Sequence, residues 1–323
     1  MKTIFVNETD PLQNALDEAA KCTDADGVLI ELSDGVHAGN EKARLFYDSP
    51  EPLEIRGKGA EKCVLRGENC ESYHKDTENR AILTFGEKCT RVSLFDFTIE
   101  NAHIKTADDC SLGNQAEAIC WHNKTGKLFC SKMTFKSRQD TIHVKGFSHF
   151  VECEIFGDVD FIWGYCDTSL FEKCKITTIR DNRGENRPAY VLQSRALNSK
   201  VGFVFDSCEF FAEDRGENAK IYIGRTEGTG RADSLDRWDS IALLDCVISE
   251  QYDSALWTNE EKRVVFPQKG SALCGWREFE TKIRQKDGAI LPYNKNAQNK
   301  HGFSMTKSDA EILRAVVKSN LKL

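Results

Sequence analysis

The sequence predicts an all-β fold, a right-handed parallel β-helix in which the chain winds as a solenoid. Three observations predict it: a recurring motif, the spacing of its copies, and apolar residues that alternate with period two. Each copy reads as a short apolar piece, a polar bend, a small or apolar residue, a variable residue, and a β-branched or aromatic residue. The equivalent residues of the six copies are Phe97, Met133, Cys153, Cys174, Cys208 and Cys246.

The spacing between these residues indicates coils. Successive copies lie 36, 20, 21, 34 and 38 residues apart, which fits a minimal coil of about 20 residues with loops inserted in some turns. In segments such as Cys153-Glu154-Ile155, alternate residues point to the same side of a strand. The recurring cysteines are therefore interpreted as an internal stack of small hydrophobic residues.

At each end of the chain, the sequence predicts a helix that caps the solenoid. At the N-terminus, Asp10 is the expected N-cap and Pro11 the first helical residue. This helix would cover the open strand edge of the first coil, with an apolar face made of Leu12, Ala15, Leu16 and Ala19. The second helix is expected over Ser308–Ser319, with apolar residues Ile312, Leu313, Val316 and Val317.

No low-complexity linker divides the chain, so we expect one domain over residues 1–323. Residues 277–323 are expected to form a C-terminal tail, in which the polar segment Lys286–Asn299 lies on the surface. The sequence gives no indication of an oligomeric state.

Composition excludes several classes of protein. A net charge of −7 argues against a dedicated nucleic-acid binder, and the absence of an apolar run of eighteen residues argues against a membrane-spanning helix. No matched C-x-x-C pairs occur, so we expect no metal site. The segment Met1–Asp10 lacks the apolar core of a signal peptide. Together with thirteen cysteines, an odd number, this predicts a cytoplasmic protein; a secreted protein whose leader has been removed is the alternative.

Two aspartates stand out because they are one minimal coil apart. Asp140 follows Met133 by seven residues, and Asp160 follows Cys153 by seven. In stacked parallel strands their carboxylates would lie one above the other, about 4.8 Å apart. Paired carboxylates at that distance suit acid–base or nucleophilic catalysis on a sugar derivative. The offset alone does not define a catalytic residue, since Asp181 also follows Cys174 by seven residues but belongs to a loop-like Asp-Asn-Arg-Gly segment.

Short motifs around these aspartates resemble those of the pectin methylesterase family. Four of them occur in the family's order, between about Leu12 and Trp276, and together they are far more specific than any one alone. They are Gln115-Ala116-Glu117-Ala118, Gln139-Asp140-Thr141, Asp160-Phe161-Ile162-Trp163-Gly164 and Gly224-Arg225.

The resemblance implies a role for each motif residue. Asp160 would be the nucleophile that attacks the methyl-ester carbonyl of a galacturonate unit. Asp140 would protonate the leaving methanol and then activate the water that hydrolyses the acyl-enzyme. Gln139 and Gln115 would stabilise the oxyanion, and Arg225 would fix Asp160 and keep it ionised. The resemblance implies no cofactor.

The resemblance also implies a substrate, a methyl-esterified polygalacturonate or oligogalacturonide. We expect Trp163, Arg195 and Glu227 to contact it. Trp163 is expected to stack on a sugar ring, because the family has an aromatic residue at that motif position. Glu227 marks a difference: the family's Gly-Arg is usually followed by Pro-Trp, whereas this chain continues with Thr226-Glu227.

Other functions fit parts of the same pattern. A retaining glycoside hydrolase needs carboxyl groups about 5–5.5 Å apart, which one-coil stacking allows. A thioesterase or another esterase on the same scaffold fits the Thr226-Glu227 substitution. A polysaccharide lyase would depend on a basic Lys or Arg and often on calcium. A non-catalytic carbohydrate-binding β-helix would bind a glycan without turning it over.

Overall fold

The chain folds into the parallel β-helix that the sequence predicts. This computed structural model describes residues 1–23, 26–106, 114–197, 200–225, 237–258, 271–293 and 302–323. Its elements up to residue 136 are β1 (Lys2–Val6), α1 (Leu12–Ala19), β2 (Val28–Leu32), β3 (Gly35–Ala38), β4 (Leu45–Tyr47), β5 (Leu53–Arg56), β6 (Cys63–Gly67), α2 (Thr77–Arg80), β7 (Leu83–Phe85), β8 (Arg91–Phe95), β9 (Thr98–Asn101), β10 (Ile119–Trp121), β11 (Lys127–Ser131) and β12 (Thr134–Lys136).

Two long strands follow these short ones. The remaining elements are β13 (Ile142–Val151), β14 (Glu154–Gly157), β15 (Val159–Glu172), β16 (Lys175–Thr178), β17 (Ala189–Ser194), β18 (Ala196–Leu197), β19 (Gly202–Asp206), β20 (Glu209–Ala212), β21 (Ile221–Arg225), β22 (Arg237–Trp238), β23 (Ile241–Leu244), β24 (Val247–Ser249), β25 (Trp257–Thr258), β26 (Trp276–Phe279), β27 (Lys282–Arg284), β28 (Ile290–Pro292), β29 (Phe303–Ser304) and α3 (Lys307–Leu321).

The strands stack in three rows, one along each side of the solenoid. The first row contains β4, β7, β10, the start of β13, the start of β15, β17, β21 and β25. The second row contains β1, β2, β5, β8, β11, the ends of β13 and β15, β19, β23, β26 and β29. Because β13 and β15 run through both rows, these form one 17-stranded sheet within the described residues. The third row is a separate sheet of β3, β6, β9, β12, β14, β16, β20, β24, β27 and β28.

The polar bend of the repeat is a single residue in the left-handed backbone conformation. It separates a second-row strand from a third-row strand and directly precedes a buried repeat residue. Non-glycine residues seldom adopt positive φ, so its recurrence identifies a shared corner. The corner residues are Asp96 (φ 59°), Lys132 (53°), Glu152 (52°), Lys173 (52°), Ser207 (57°), Asp245 (52°) and, in a further coil, Glu280 (49°).

The repeated cysteines lie inside the solenoid, which confirms their interpretation as small core residues. The thiols of Cys174, Cys208 and Cys246 donate to main-chain oxygens of neighbouring coils at 3.4, 3.2 and 3.4 Å. Beside them, the rings of Phe150, Phe171 and Phe205 form a stack with centroid distances of 4.6 and 4.8 Å. Dispersion between these stacked side chains joins successive coils along the axis.

Helix α1 covers the first coils as predicted, but its N-cap residue differs from the predicted one. Pro11 occupies the N-cap position, and the Asp10 carboxylate accepts hydrogen bonds from Asn7 instead. The prediction failed because Asp10 has a closer partner in the preceding turn. Gln13 covers an open strand edge, since its amide donates to the Phe46 carbonyl at 2.9 Å and accepts from the Phe46 N–H at 2.8 Å.

Helix α3 forms where predicted but packs on the side of the solenoid instead of over its end. Leu313 and Val317 are buried against the outer face of the second row, whereas Ile312 is exposed. Arg314 also binds two corner-region carboxylates, Asp206 at 2.6 and 2.8 Å and Asp245 at 2.6 Å. The amphipathic pattern could predict a buried face but not the surface that receives it.

The tail also contains a short exposed strand. Strand β28 pairs with β27 in antiparallel orientation, and its Ile290 and Leu291 side chains are exposed. The predicted surface segment is thus described as far as Tyr293, and the rest of it lies outside the described residues. In the described parts of the chain, no helix has the length and apolarity needed to cross a membrane.

Candidate active site

The register of the first row places Asp140 and Asp160 at equivalent positions of successive coils. Ile142 pairs with Ile162, and Gln139 forms an isolated parallel bridge with Val159. Both aspartates have positive φ, 63° and 47°, and each is 6% exposed. Aspartate tolerates the left-handed conformation better than most residues. Such outliers concentrate at functional sites, and here the same outlier occurs in two adjacent coils.

Asp160 is held by a two-point ion pair. The Arg225 Nε donates to Asp160 Oδ1 at 2.8 Å, and Arg225 Nη2 donates to Oδ2. Gln193 Nε2 lies 3.4 Å from the same Oδ2, and the Arg225 guanidinium stacks over the Tyr190 ring at 4.4 Å. A bidentate guanidinium fixes the orientation of a carboxylate as well as pairing its charge.

Asp140 has a different electrostatic environment. Its Oδ2 accepts a hydrogen bond from Arg80 Nη2 at 3.1 Å, and Glu117 lies in the coil below. Burial raises the pKa of Asp140 well above its usual range; the negative charges of Glu117 and Asp160 act in the same direction, and Arg80 opposes them. A carboxyl group with a raised pKa remains a proton donor closer to neutral pH.

Arg80 and Glu117 were not predicted as site residues. The Arg80 Nε donates to the Glu117 carboxylate at 2.7 Å, and Arg80 Nη1 donates to Gln115 Oε1 at 2.8 Å. A usable signal existed in the sequence. The 36-residue spacing that relates Phe97 to Met133 also places Arg80 level with the Gln115-Ala116-Glu117 segment.

The arrangement can therefore separate two chemical roles. Asp160 is held by the Arg225 guanidinium, while Asp140 is buried near Glu117, and burial raises its pKa. Environments that push two carboxyl groups apart in proton affinity distinguish an acid from a base or nucleophile. The Gln115 amide lies beside Asp140, with its oxygen accepting from Arg80, and Gln139 directly precedes Asp140 in the chain.

Five of the eight predicted site residues converge at this point of the first row: Gln115, Gln139, Asp140, Asp160 and Arg225. Trp163 and Arg195 lie beside them, linked to Asp160 through Gln193. Glu227 lies outside the described residues, so its contact with the substrate stays a prediction.

Trp163 is enclosed by its neighbours. Its ring is 5% exposed and lies 4.3 Å from the His143 ring, while the Arg195 guanidinium lies 4.7 Å from its centre. Arg195 also donates to the Tyr165 hydroxyl at 3.0 Å and to Gln193 Oε1 at 2.6 Å. Stacking of a sugar on Trp163 stays a prediction, and it requires Arg195 to move from the ring.

A cluster of metal-ligating side chains lies next to Trp163. Atoms of Cys120, His122 and His143 that could ligate a metal ion lie within 4.8 Å of one another. Lys145 Nζ is 2.6 Å from His122 Nε2, and a Glu78 oxygen is 2.6 Å from the same nitrogen. The Lys145 ammonium therefore lies beside this cluster, and its positive charge would oppose the binding of a cation there.

The family model for pectinesterases matches residues 7–229 of this chain. The chain belongs to the pectinesterase family. A protein described as probable pectinesterase 67 of Arabidopsis thaliana is 26% identical over 220 residues, which cover 67% of this chain and 58% of that protein. The matched part thus spans less than two thirds of this relative's length.

Solved structures of pectin methylesterases share the fold. The enzyme from carrot superposes with a TM-score of 0.71 at 15% identity, over 99% of this chain and 96% of that chain. The enzyme from Erwinia chrysanthemi gives 0.66 at 16% identity, over 99% and 96%. A pectin methylesterase solved in complex with a hexasaccharide gives 0.67 at 16% identity, over 95% and 91%. At these identities the likeness establishes the β-helix architecture.

Proposed function

We propose that this chain hydrolyses methyl esters of galacturonate units in pectin or oligogalacturonides and releases methanol. The observation that carries the proposal is the contrast between two stacked aspartates: Asp160 in a two-point pair with Arg225, and Asp140 buried with a raised pKa. Membership of the pectinesterase family supports the same reaction.

In the first half of the reaction, an Asp160 oxygen attacks the ester carbonyl carbon. The carbonyl oxygen becomes an oxyanion and accepts hydrogen bonds from the Gln139 and Gln115 amides. A single donor of this kind typically stabilises the transition state by about 3 kcal/mol. The carbon–methoxy bond then breaks, Asp140 donates its proton to the methoxy oxygen, and methanol leaves an acyl-enzyme on Asp160.

In the second half, water replaces methanol. The Asp140 carboxylate takes a proton from the attacking water, whose oxygen bonds to the acyl carbon. When the anhydride bond to Asp160 breaks, galacturonic acid and the Asp160 carboxylate are released and Asp140 is again protonated; the acid then loses its proton to solvent. One ester and one water are consumed, and one methanol and one acid are formed.

The substrate proposed is a pectic oligosaccharide or polymer. A related pectin methylesterase was solved with a hexasaccharide, which supports a glycan several units long. The net charge of −7 opposes long-range attraction of a polyanion, so we propose that short, partly methylated oligomers are used well. Demethylation of long pectin with no action on methylated dimers and trimers would contradict that preference.

Methanol release is the test of the reaction. We expect the wild type to release methanol from methylated pectin without forming reducing ends, and Asp160→Asn and Asp140→Asn each to lose activity by more than about 100-fold. Asp167→Asn is the matched control, because this carboxylate lies on the same strand as Asp160 and pairs with Lys200.

New reducing ends in place of methanol would favour a retaining glycoside hydrolase. An ultraviolet-absorbing unsaturated product would favour a lyase. Binding without turnover, unchanged by Asp160→Asn, would favour a carbohydrate-binding protein.

We also propose that the chain works in a reducing compartment. Twelve cysteines lie in the described residues, and all twelve are free thiols; ten of them are buried. Such thiols are typical of reducing compartments. Fractionation of cells that produce the native protein tests this, and recovery of the protein from the external medium would contradict it.

A further inference from the structure

We propose that Arg80 and Glu117 form a buried ion pair that supports the catalytic groups. Arg80 positions Gln115 and Asp140, and Glu117 neutralises the charge of Arg80. The inference rests on the proposed esterase reaction and adds two positioning residues to it. Neither residue belongs to the roles that the motifs imply. Arg80 is 4% exposed, and Glu117 is fully buried.

The Arg80 guanidinium serves three residues at once. Its Nε lies 2.7 and 3.0 Å from the two Glu117 oxygens, and its Nη2 lies 2.8 Å from Glu117 Oε1. The same Nη2 donates to Asp140 Oδ2 at 3.1 Å, and Nη1 donates to Gln115 Oε1 at 2.8 Å. Because the fork of donors is planar and rigid, these three acceptors are held in one geometry.

Two buried asparagines hold the backbone around Arg80 and at Glu117. Asn69 Nδ2 donates to the carbonyls of residues 79 and 81, on either side of Arg80, at 2.8 and 3.1 Å. Asn101 Nδ2 donates to the Glu117 carbonyl at 2.9 Å and to the Asn69 carbonyl at 2.8 Å. Networks of satisfied buried polar groups specify a single arrangement of the chain.

Arg80 determines which end of the Gln115 amide faces the substrate. A guanidinium has donors and no acceptor, so the Gln115 oxygen must face Arg80, as the 2.8 Å contact records. The NH2 group is then the end directed away from Arg80. Loss of Arg80 would let the amide rotate and remove a donor from the oxyanion.

Glu117 keeps Arg80 from overstabilising the ionised form of Asp140. An unopposed guanidinium next to a carboxyl group favours the carboxylate, which has no proton for the leaving methanol. With Glu117 present, Arg80 Nε and Nη2 both donate to Glu117, and Asp140 accepts a single bond from the same Nη2. Burial raises the pKa of Glu117 as well, and Arg80 opposes this.

The first test replaces Glu117 by the uncharged isostere. In Glu117→Gln, Asp140 loses a nearby negative charge and gains a larger share of Arg80, so its pKa falls. Since Asp140 acts as an acid, activity is lost as pH rises through its pKa, and the basic limb of the kcat profile should move to lower pH by about 1 unit or more. KM should stay within about twofold.

The second test removes both charges and asks whether Gln115 still contributes. Replacing a buried ion pair by apolar residues is often neutral for stability, so the double variant Arg80→Met/Glu117→Leu should fold; circular dichroism and the melting temperature check this. In the wild-type background, Gln115→Ala should lower kcat about 100-fold. In the background of the double variant the same change should cost less than about 5-fold, because the amide is already misoriented.

A matched control removes an arginine partner far from the site. Asp206→Asn weakens the Arg314 pair on helix α3 and should leave the pH profile unchanged. An active wild type whose profile is unaltered by Glu117→Gln, with equal losses for Gln115→Ala in both backgrounds, would overturn this inference alone. A wild type that releases no methanol from any methyl ester would overturn the proposed function and this inference with it.

Discussion

Asp140 and Asp160 share an unusual backbone conformation, with φ of 63° and 47°, one coil apart in the first row of strands. The bridge between Gln139 and Val159 ties the two turns together. Strain at both positions is maintained by the register of the surrounding strands. The same backbone thus presents two carboxylates with different neighbours: Arg225 holds Asp160, whereas Arg80 and Glu117 lie beside Asp140.

The orientation of Asp160 should depend on a guanidinium at position 225, and a positive charge alone should not be sufficient. Arg225→Lys keeps the positive charge but replaces two parallel hydrogen bonds with a point contact. We expect kcat to fall by about 10- to 100-fold, because Asp160, the proposed nucleophile, loses its fixed orientation. Steady-state methanol release measures this. Arg183→Lys, which alters a comparable pair with Asp181, should leave kcat unchanged, and equal losses in both variants would contradict the interpretation.

Asp140 should make the protein less stable as pH rises. Its folded-state pKa is raised by burial and by Glu117, so its stabilising contribution is complete below the unfolded pKa of about 3.9. That contribution is lost as pH rises through the folded pKa, by about 1.4 kcal/mol per unit between the two pKa values.

Asp140→Asn removes this titration. Its free energy of unfolding relative to the wild type should therefore increase from about pH 4 upward, as measured by denaturant unfolding at several pH values. A stability difference that does not vary with pH would show that Asp140 titrates normally.

The corner residues should tolerate glycine. Lys173 has φ of 52°, where a side chain costs about 1–2 kcal/mol and glycine costs little. Lys173→Gly should therefore leave the unfolding free energy unchanged or raise it by up to about 1 kcal/mol. Lys175→Gly, two residues later in a regular strand, should lower it by about 0.5–1 kcal/mol. Equal destabilisation by the two changes would argue against a strained corner.

Gln13 should stabilise the first coils by covering a strand edge. Gln13→Ala leaves the N–H and C=O of Phe46 without this partner, and each lost hydrogen bond should cost about 1 kcal/mol. Asn14→Ala, the adjacent helical residue, is the control. Chemical denaturation measures both variants. Hydrogen exchange of the Phe46 amide provides a local readout, and it should accelerate in the Gln13 variant alone.

Much of the fold was predictable because the repeat is visible as sequence. The period-two alternation and the polar bend at Asp96, Lys132 and their equivalents reflect one corner geometry repeated in each coil. The place of α3 was not predictable, since an amphipathic face is compatible with any apolar surface. Asp10 shows the same limitation at short range, because its partner in the preceding turn competes with the helix end.

The placement of candidate-site residues was predictable where chemistry and motif coincide in a short segment. Asp140, Asp160 and Arg225 each belong to such a segment. Arg80 does not: it lies 60 residues before its acceptor on Asp140, and only the 36-residue spacing of the coils indicates that the two are close. Glu117 lies inside a motif, but its role as the counter-ion of Arg80 can be inferred only when the position of Arg80 is known.

Because the left-handed corner recurs in successive coils, each of these coils contains all the local features that are needed to add another coil by duplication. A duplicated stretch of about 20 residues would bring its own bend, its own inward thiol or apolar residue and its own segment of each strand row. The cylinder could therefore lengthen by whole windings while the carboxylates keep their surroundings. In such a lineage, the length of the surface beside the two aspartates can change independently of the groups that surround them.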